Sequence, residues 1–218
     1  MGEVSCISKR GQALVCHAKD PISSGLAMGE FLPDGYFSQC AAEVFLMGAG
    51  GSTIAISWHL TQLDKGHDVP ARIVVSNRSP GRLEHIRQFH REVGIRVPVE
   101  YALARSFEDN DAIMARLAPG SLVVNATGLG KDAPGSPLTS AGEFPPDGIA
   151  WDLNYRGDLV FLEQARAQAE RRHLRIADGW TYFLHGWTQV ISEVFEVAIP
   201  TSGPEFDALS RIAATARV

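Results

Sequence analysis

A doubly wound α/β sheet is the fold class this sequence predicts, on three observations. From Glu43 onward, short apolar runs alternate with stretches of helical period, the pattern of parallel strands joined by crossover helices. The first run, Val44-Phe45-Leu46-Met47, passes directly into the glycine turn Gly48-Ala49-Gly50-Gly51-Ser52-Thr53, which opens a helix-like stretch. One helix further on, the run Ile73-Val74-Val75 ends in Ser76-Asn77-Arg78-Ser79. A strand, a glycine turn, a helix and a second strand form the unit that holds a dinucleotide.

The elements follow in order. Residues 44–47 read as a strand and 53–65 as a helix, with Ile54, Ile56, Trp58, Leu60 and Leu63 mostly on apolar faces. Residues 73–75 are a strand. Residues 80–93 are a helix, because Leu83, Ile86, Phe89 and Val93 recur at three- and four-residue spacing. Residues 97–101 form a short strand, and 107–117 a helix stopped by Pro119-Gly120. Residues 122–124 are a strand, 125–148 a turn-rich loop, and 149–153 a strand. A long helix over 158–172, a last strand over 174–177, a helix over 180–197 and a closing helix over 205–218 complete the chain. Six strands in this alternation make a Rossmann-like sheet, with ligands at the C-terminal ends of the strands. The first 42 residues fall outside the alternation. They carry a possible hairpin (4–7 with 13–16, across Lys9-Arg10-Gly11) and a helix over 22–32.

Composition narrows the class. The chain has 218 residues, 45% hydrophobic and 21% charged, enough to bury a real core. A formal charge of -5 argues against a nucleic-acid surface. No apolar run approaches the roughly 20 residues of a membrane span. The three cysteines, Cys6, Cys16 and Cys40, form no Cys-x-x-Cys pair. They read as reduced thiols of a cytoplasmic protein, and no metal site is implied.

Three blocks carry the chemistry. In the first, Gly48 lets the chain turn tightly after the strand, and Gly50 lets the backbone approach a pyrophosphate without a Cβ in the way. Gly51 and Ser52 then open a helix whose free N–H groups favour phosphate. The third small position is Thr53. An ordinary structural turn is the plainer reading of the same glycines. In the second block, an NAD site would carry a carboxylate at the end of the second strand. This chain has Asn77, Arg78 and Ser79 there, with Arg82 one turn on. A guanidinium fork suits a 2′-phosphate, so NADP(H) is the expected cofactor; solvated arginines at a helix start are the alternative. In the third, Asn125-Ala126-Thr127-Gly128-Leu129-Gly130 follows the fourth strand, a loop that can lie beneath a nicotinamide; a plain glycine-rich turn is the alternative.

These blocks, followed by Asp152-Leu153-Asn154-Tyr155, resemble the shikimate/quinate dehydrogenase family in type and order. The resemblance runs from Gly2 to about Glu196. It implies that Asn77, Arg78 and Ser79 clasp the adenosine 2′-phosphate. It also implies that Asn125, Ala126, Thr127 and Gly130 flank the nicotinamide, with Asp152 and Gly179 near the cofactor and Tyr155 near both nicotinamide and substrate. Gly2-Glu3-Val4-Ser5-Cys6-Ile7 looks like the family's Gly-Ala-Val-Asn-Thr block. Ala18-Lys19-Asp20 looks like its Asn-Thr-Asp, which makes Asp20 the catalytic aspartate. Asp20 ahead of Pro21 is equally a helix-entry pattern. Ser5 stands for a substrate-contacting Asn, Tyr182 for a methionine, Gly186 for a glutamine, and Gly157 and Val160 for a proline and a threonine. Ser5, Tyr155 and Tyr182 are therefore the expected substrate contacts.

The family's catalytic lysine and its Ser-x-Ser carboxylate clamp lie upstream of the block that Gly2 begins. The expectation is a fragment of a longer protein, because a lost lobe would leave the 22–32 helix partly uncovered. The implied division is residues 1–32 as the remnant of a substrate lobe, 33–196 as the NADP-binding domain, and 197–218 as a helix packing back on the lobe. The implied activity is hydride transfer between NADP(H) and a secondary alcohol or ketone of a cyclic hydroxy acid, in aromatic amino-acid biosynthesis. The partner would be a small molecule, with no membrane or nucleic acid and a possible homodimer. A non-catalytic dinucleotide-binding module is the competing reading, supported by the departures at Ser5 and Gly186. The cofactor domain of glutamyl-tRNA reductases has similar blocks but explains neither the Asp152 segment nor Gly179. His185 and Trp187 flank Gly186; the histidine reads as packed or solvated more readily than as a proton carrier.

Overall fold

The computed structural model describes residues 3–62 and 66–215. Gly2, the 63–65 end of the expected 53–65 helix and the 216–218 end of the expected closing helix lie outside the described residues. The chain opens with an antiparallel hairpin, β1 (Cys6–Arg10) and β2 (Ala13–His17), paired from Cys6↔His17 to Arg10↔Ala13. β1 lies later than expected because the turn falls at Gly11-Gln12, while β2 begins at Ala13 as expected. Helix α1 (Asp20–Met28) and a short α2 (Tyr36–Gln39) lead into the main sheet. The sequence does not announce α2. It is held from a distance: the Asp68 carboxylate accepts from the N–H groups of Gly35, Phe37 and Ser38.

Then come β3 (Val44–Met47), α3 (Gly51–Leu60), β4 (Ile73–Asn77), α4 (Pro80–Glu92), β5 (Val99–Leu103), α5 (Phe107–Met114), β6 (Leu122–Asn125) and β7 (Ile149–Asp152). They are followed by α6 (Val160–Arg166), α7 (Ala169–Arg172), β8 (Arg175–Ala177), α8 (Trp180–Phe195) and α9 (Gly203–Ala214). The six-stranded sheet runs β5-β4-β3-β6-β7-β8 and is parallel throughout. Its order reverses between β3 and β6, the switch point where such sheets bind ligands.

All four residues of β3 are fully buried, as a strand covered on both faces requires. Val44 and Leu46 point into one core layer with Ile73, Val75, Val124 and Trp151, under Ile54, Ile86 and Phe89 of α3 and α4. Phe45 and Met47 point into the other, with Val123 and Ala150, under Met114, Phe161 and Leu162. The period of two along the strand thus divides one sequence between two layers.

One expected element is broken. The helix over 158–172 divides into α6 and α7 because Gln168 turns inward. Its side-chain oxygen accepts from Phe144 N–H (3.1 Å) and its amide donates to Gly142 O (2.8 Å), so the helix yields to satisfy a buried loop. Elsewhere, His90 seals the α3–α4–β5 seam, with Nε2 2.8 Å from Ser57 Oγ and Nδ1 2.8 Å from Tyr101 Oη. Burial lowers its pKa to about 4. A folded pKa below the unfolded value means that the unfolded chain binds more protons between about pH 4 and 6.5. His90 therefore favours the fold above about pH 6.5, and that contribution is lost as pH falls towards 4. An NMR titration of the His90 ring is expected to show a midpoint near 4; a midpoint near 6.5 would contradict the assignment.

Candidate functional site

The strand register assembles the site. Met47 lies opposite Ser76 on one side and Asn125 on the other, and Asn125 lies opposite Asp152. Four strands therefore end on one line, and each releases its loop at the same edge.

At the middle of that edge, Gly48 has φ +114, and a Cβ there would lie 2.6 Å from Ala126 O. Only glycine lets the two loops touch. Gly50 heads α3 and offers no side-chain cap, so no N-cap side chain occupies the first-turn N–H groups of Gly51, Ser52 and Thr53; a Cβ on Gly51 would meet the Glu3 carboxylate at 3.4 Å. A Cβ on Gly50 would meet nothing within 4 Å. Thr53 fits the third small position because its hydroxyl donates to Gly48 O at 2.9 Å, fully buried.

A crevice of about 800 Å³ runs from this turn outward over β4 and β5, lined among others by Gly48, Ala49, Gly50, Asn77, Arg78 and Arg82. Asn77 Oδ1 accepts from Ser79 N–H, and Ser79 Oγ caps α4 through Arg82 N–H. These bonds shape the loop that carries Arg78. Missing from the sequence expectation are Arg105, Ser106 and Asn110, which line the same crevice. The signal for them lay in the fifth strand. It ends at Leu103 rather than 101, which puts Arg105 at a strand end as Arg78 is.

A second crevice of about 560 Å³ shares Ala126, Thr127, Gly128 and Asp132 with the first. Its other walls include Ser5, Asp20, Ser52, Tyr155 and Tyr182, with Lys131 at the loop. Ser5 Oγ donates to Asp20 Oδ1 at 2.7 Å and accepts from the N–H groups of Lys19 (2.9 Å) and Asp20 (3.2 Å). Ser5 therefore fixes the aspartate as it enters α1. Tyr182 packs edge-on against Trp151 and reaches Ser52 Oγ at 3.5 Å. Burial, then the Asp20 charge, pushes its phenol up to about 12, so Tyr182 is a permanent hydrogen-bond donor at neutral pH. Tyr155 stacks on Phe183 at 4.2 Å. Lys19 is turned elsewhere, onto Glu193 at 2.5 Å. His185 is buried and stacked on Phe206, outside this crevice.

Gly51, Ser79, Asn125, Gly130, Asp152 and Gly179 line neither crevice. Ser79 caps α4 and Gly51 opens α3, while Asn125 and Asp152 hold the shared loop from behind. Asn125 donates to Asp152 Oδ1 (3.1 Å) and Leu129 O (3.2 Å) and accepts from Thr127 N–H (3.1 Å) and Oγ1 (2.6 Å). Asn154 Nδ2 donates to Thr127 O and Leu129 O. Two buried amides thus hold the shared loop. A side chain on Gly179 would collide with the Leu153 carbonyl, which is why α8 can start so close to β7. Among the described residues no cluster of His, Cys, Asp or Glu is arranged to hold a metal, and no helix is long and apolar enough to cross a membrane.

Asp152 is the least comfortable group in this wall. It is fully buried, and its Oδ2 has no hydrogen-bond partner among the described residues. Burial raises its pKa to about 6, against the lowering effect of the Asn154 N–H. Here the folded value exceeds the unfolded one, so the folded chain holds the extra proton and stability falls as pH climbs from about 4 to about 6. The sign is opposite to that of His90. Asp152→Asn removes the charge and keeps the acceptor, so it should flatten this part of the profile and gain about 2–3 kcal/mol at pH 7. Urea unfolding of both proteins between pH 4 and 7 reads the difference; parallel profiles would contradict it.

No protein-family model and no curated protein matches this sequence. Solved structures do match. Shikimate dehydrogenase from Aquifex aeolicus superposes with a TM-score of 0.66 at 17% identity, over 92% of this chain and 64% of that one. Quinate dehydrogenase from Corynebacterium glutamicum, in complex with NAD, gives 0.67 at 19%, over 93% and 64%. Shikimate 5-dehydrogenase from Thermus thermophilus, in complex with NADP(H) and shikimate, gives 0.66 at 21%, over 97% and 69%. The fold is thus shikimate/quinate dehydrogenase-like, and the chain spans about two thirds of the length of these structures.

Proposed function

We propose that the chain is an NADP-dependent oxidoreductase that moves a hydride between NADP(H) and a secondary alcohol or ketone of a cyclic hydroxy acid. The observation that carries this reading is the pair of crevices joined along Ala126, Thr127 and Gly128. One offers an uncapped helix N-terminus and arginines; the other offers a carboxylate and a phenol. The two sit on either side of a single loop.

The residues present fit the dinucleotide. Gly50 leaves room for a pyrophosphate over the first turn of α3, where N–H groups favour anions. Arg78 and Arg82 lie in the same crevice beyond β4, suited to a 2′-phosphate. Bound there, the nicotinamide supplies or accepts the hydride. The other half of the chemistry falls to side chains. Asp20, oriented by Ser5, accepts the proton of a substrate hydroxyl. Tyr182, held protonated, donates a hydrogen bond to the same oxygen and to the carbonyl that replaces it. Tyr155, backed by Phe183, gives the ring of the substrate an apolar wall. The proposed division into residues 1–32, 33–196 and 197–218 assigns Ser5 and Asp20 to one unit and the cofactor loops to the next. Three cysteines without a disulfide partner support a cytoplasmic location, and the resemblance of the sequence blocks supports a role in aromatic amino-acid biosynthesis.

One observation favours a second reading, a dinucleotide-binding module without catalysis: the lysine beside Asp20 is tied to Glu193 and turned from the crevice. Kinetics separate the two. With NADP⁺ and a panel of cyclic hydroxy acids including shikimate and quinate, Asp20→Asn should lower kcat by about 10²–10⁴ and leave the Kd for NADP⁺ unchanged. Undiminished turnover in the variant would remove Asp20 from the chemistry, and a wild-type chain that binds NADP⁺ but turns over nothing would establish the second reading. For the cofactor, NADP⁺ should bind at least about tenfold more tightly than NAD⁺, and Arg78→Ala should erase most of that margin. Tighter binding of NAD⁺ would reject NADP(H).

A further inference from the structure

Arg105 stands just past the end of β5, one strand out from the Arg78 loop, and lines the same crevice as Arg78 and Arg82. The sheet brings it there. Asn77 pairs with Leu103, and the Ala104 N–H donates to Asn77 O at 3.0 Å. The strands then part, and each turns its next arginine into one crevice from its own side.

The backbone beneath Arg105 is fixed. Asp109 Oδ2 accepts from the N–H groups of Arg105 (2.7 Å) and Ser106 (2.9 Å), and Ser106 Oγ accepts from Asp109 N–H, which closes a capping box on α5. Those two backbone hydrogen bonds are the main reason the Asp109 carboxyl lies below the usual range, with the Arg105 charge a lesser cause. The acceptor oxygen of Asp109 is therefore occupied by main chain.

No salt bridge among the described residues involves Arg78, Arg82 or Arg105. On neighbouring elements, Arg72, Arg87 and Arg91 each have a glutamate. Three guanidiniums facing one crevice without such partners repel one another until an anion enters. Glu108 and Asp132 are the carboxylates on that wall, and Asp132 lies at its far end beside Lys131 Nζ, at 3.5 Å. A ribose 2′-phosphate is a near-dianion with three acceptor oxygens, and planar forks from different directions suit it.

Resting on the reading that this crevice takes a phosphorylated dinucleotide, we infer that Arg105 is a third ligand of the 2′-phosphate and a determinant of NADP over NAD. The phosphate is gripped across two strand ends, with Arg78 and Arg82 on the β4 side and Arg105 on the β5 side.

The test is calorimetric titration of the full chain with NADP⁺, NAD⁺ and adenosine 2′,5′-bisphosphate. Arg105 is exposed and its backbone contacts survive truncation, so Arg105→Ala should fold normally. The variant is expected to bind NADP⁺ and the bisphosphate about tenfold or more weakly and NAD⁺ within about twofold of wild type. Arg105→Lys should keep part of the loss from appearing, since it retains charge without the fork. Equal weakening of NADP⁺ and NAD⁺ would move Arg105 to the adenine or ribose and overturn the inference; so would an unchanged preference. A wild-type chain that does not distinguish the two nucleotides would sink the cofactor reading itself, which separates that failure from one confined to Arg105.

Discussion

The contact between Gly48 and the Ala126 carbonyl is the constraint on which the site depends. It lies at the one place where the sheet reverses its winding, between β3 and β6. With no side chain and a φ of +114, Gly48 lets the glycine turn abut the loop of Ala126, Thr127 and Gly128. That loop is then the wall of two crevices at once. A cofactor laid over Gly50 and a substrate held by Asp20 would approach one another there and nowhere else. Widening this contact would separate the two crevices without altering any side chain that lines them.

Electrostatics divide the edge into zones. The outer end of the larger crevice is rich in guanidinium, and its middle is lined by Gly48, Ala49 and Gly50 at the start of α3. The second crevice carries Asp20, with Tyr182 kept as a donor by burial and by that carboxylate. Asn125 and Asn154 satisfy the backbone of the shared loop with buried amides. Asp152 anchors them at the cost of an oxygen without a partner among the described residues. Such a tolerated misfit, next to a loop whose position matters, is the kind of strain that functional sites retain.

Much of this was legible in the sequence because it is local. The strand of residues 44–47, the glycine turn and the Asn77-Arg78-Ser79 loop follow from apolar runs meeting residues with special backbone or charge, and they occur where the pattern puts them. What was not legible depends on distant partners. Gln168 breaks a helix for the sake of Phe144, and Asp68 builds α2 from 30 residues away. Arg105 belongs to no motif, and it joins the crevice only through the register of β5 on β4. Ser5 reads as a substrate contact by position, yet its hydroxyl is spent on orienting Asp20. Asp152 and Gly179 carry family-like spacing, but the fold uses them one layer behind the surface.

The most direct measurement is a crystal structure of the chain grown with saturating NADP⁺. The account predicts the pyrophosphate over Gly50 at the start of α3, the 2′-phosphate within hydrogen-bonding distance of the Arg78 guanidinium, and the nicotinamide against Thr127, facing Asp20. An empty crevice with Arg78 turned to solvent, or a nucleotide seated away from the Gly48–Ala126 contact, would contradict it.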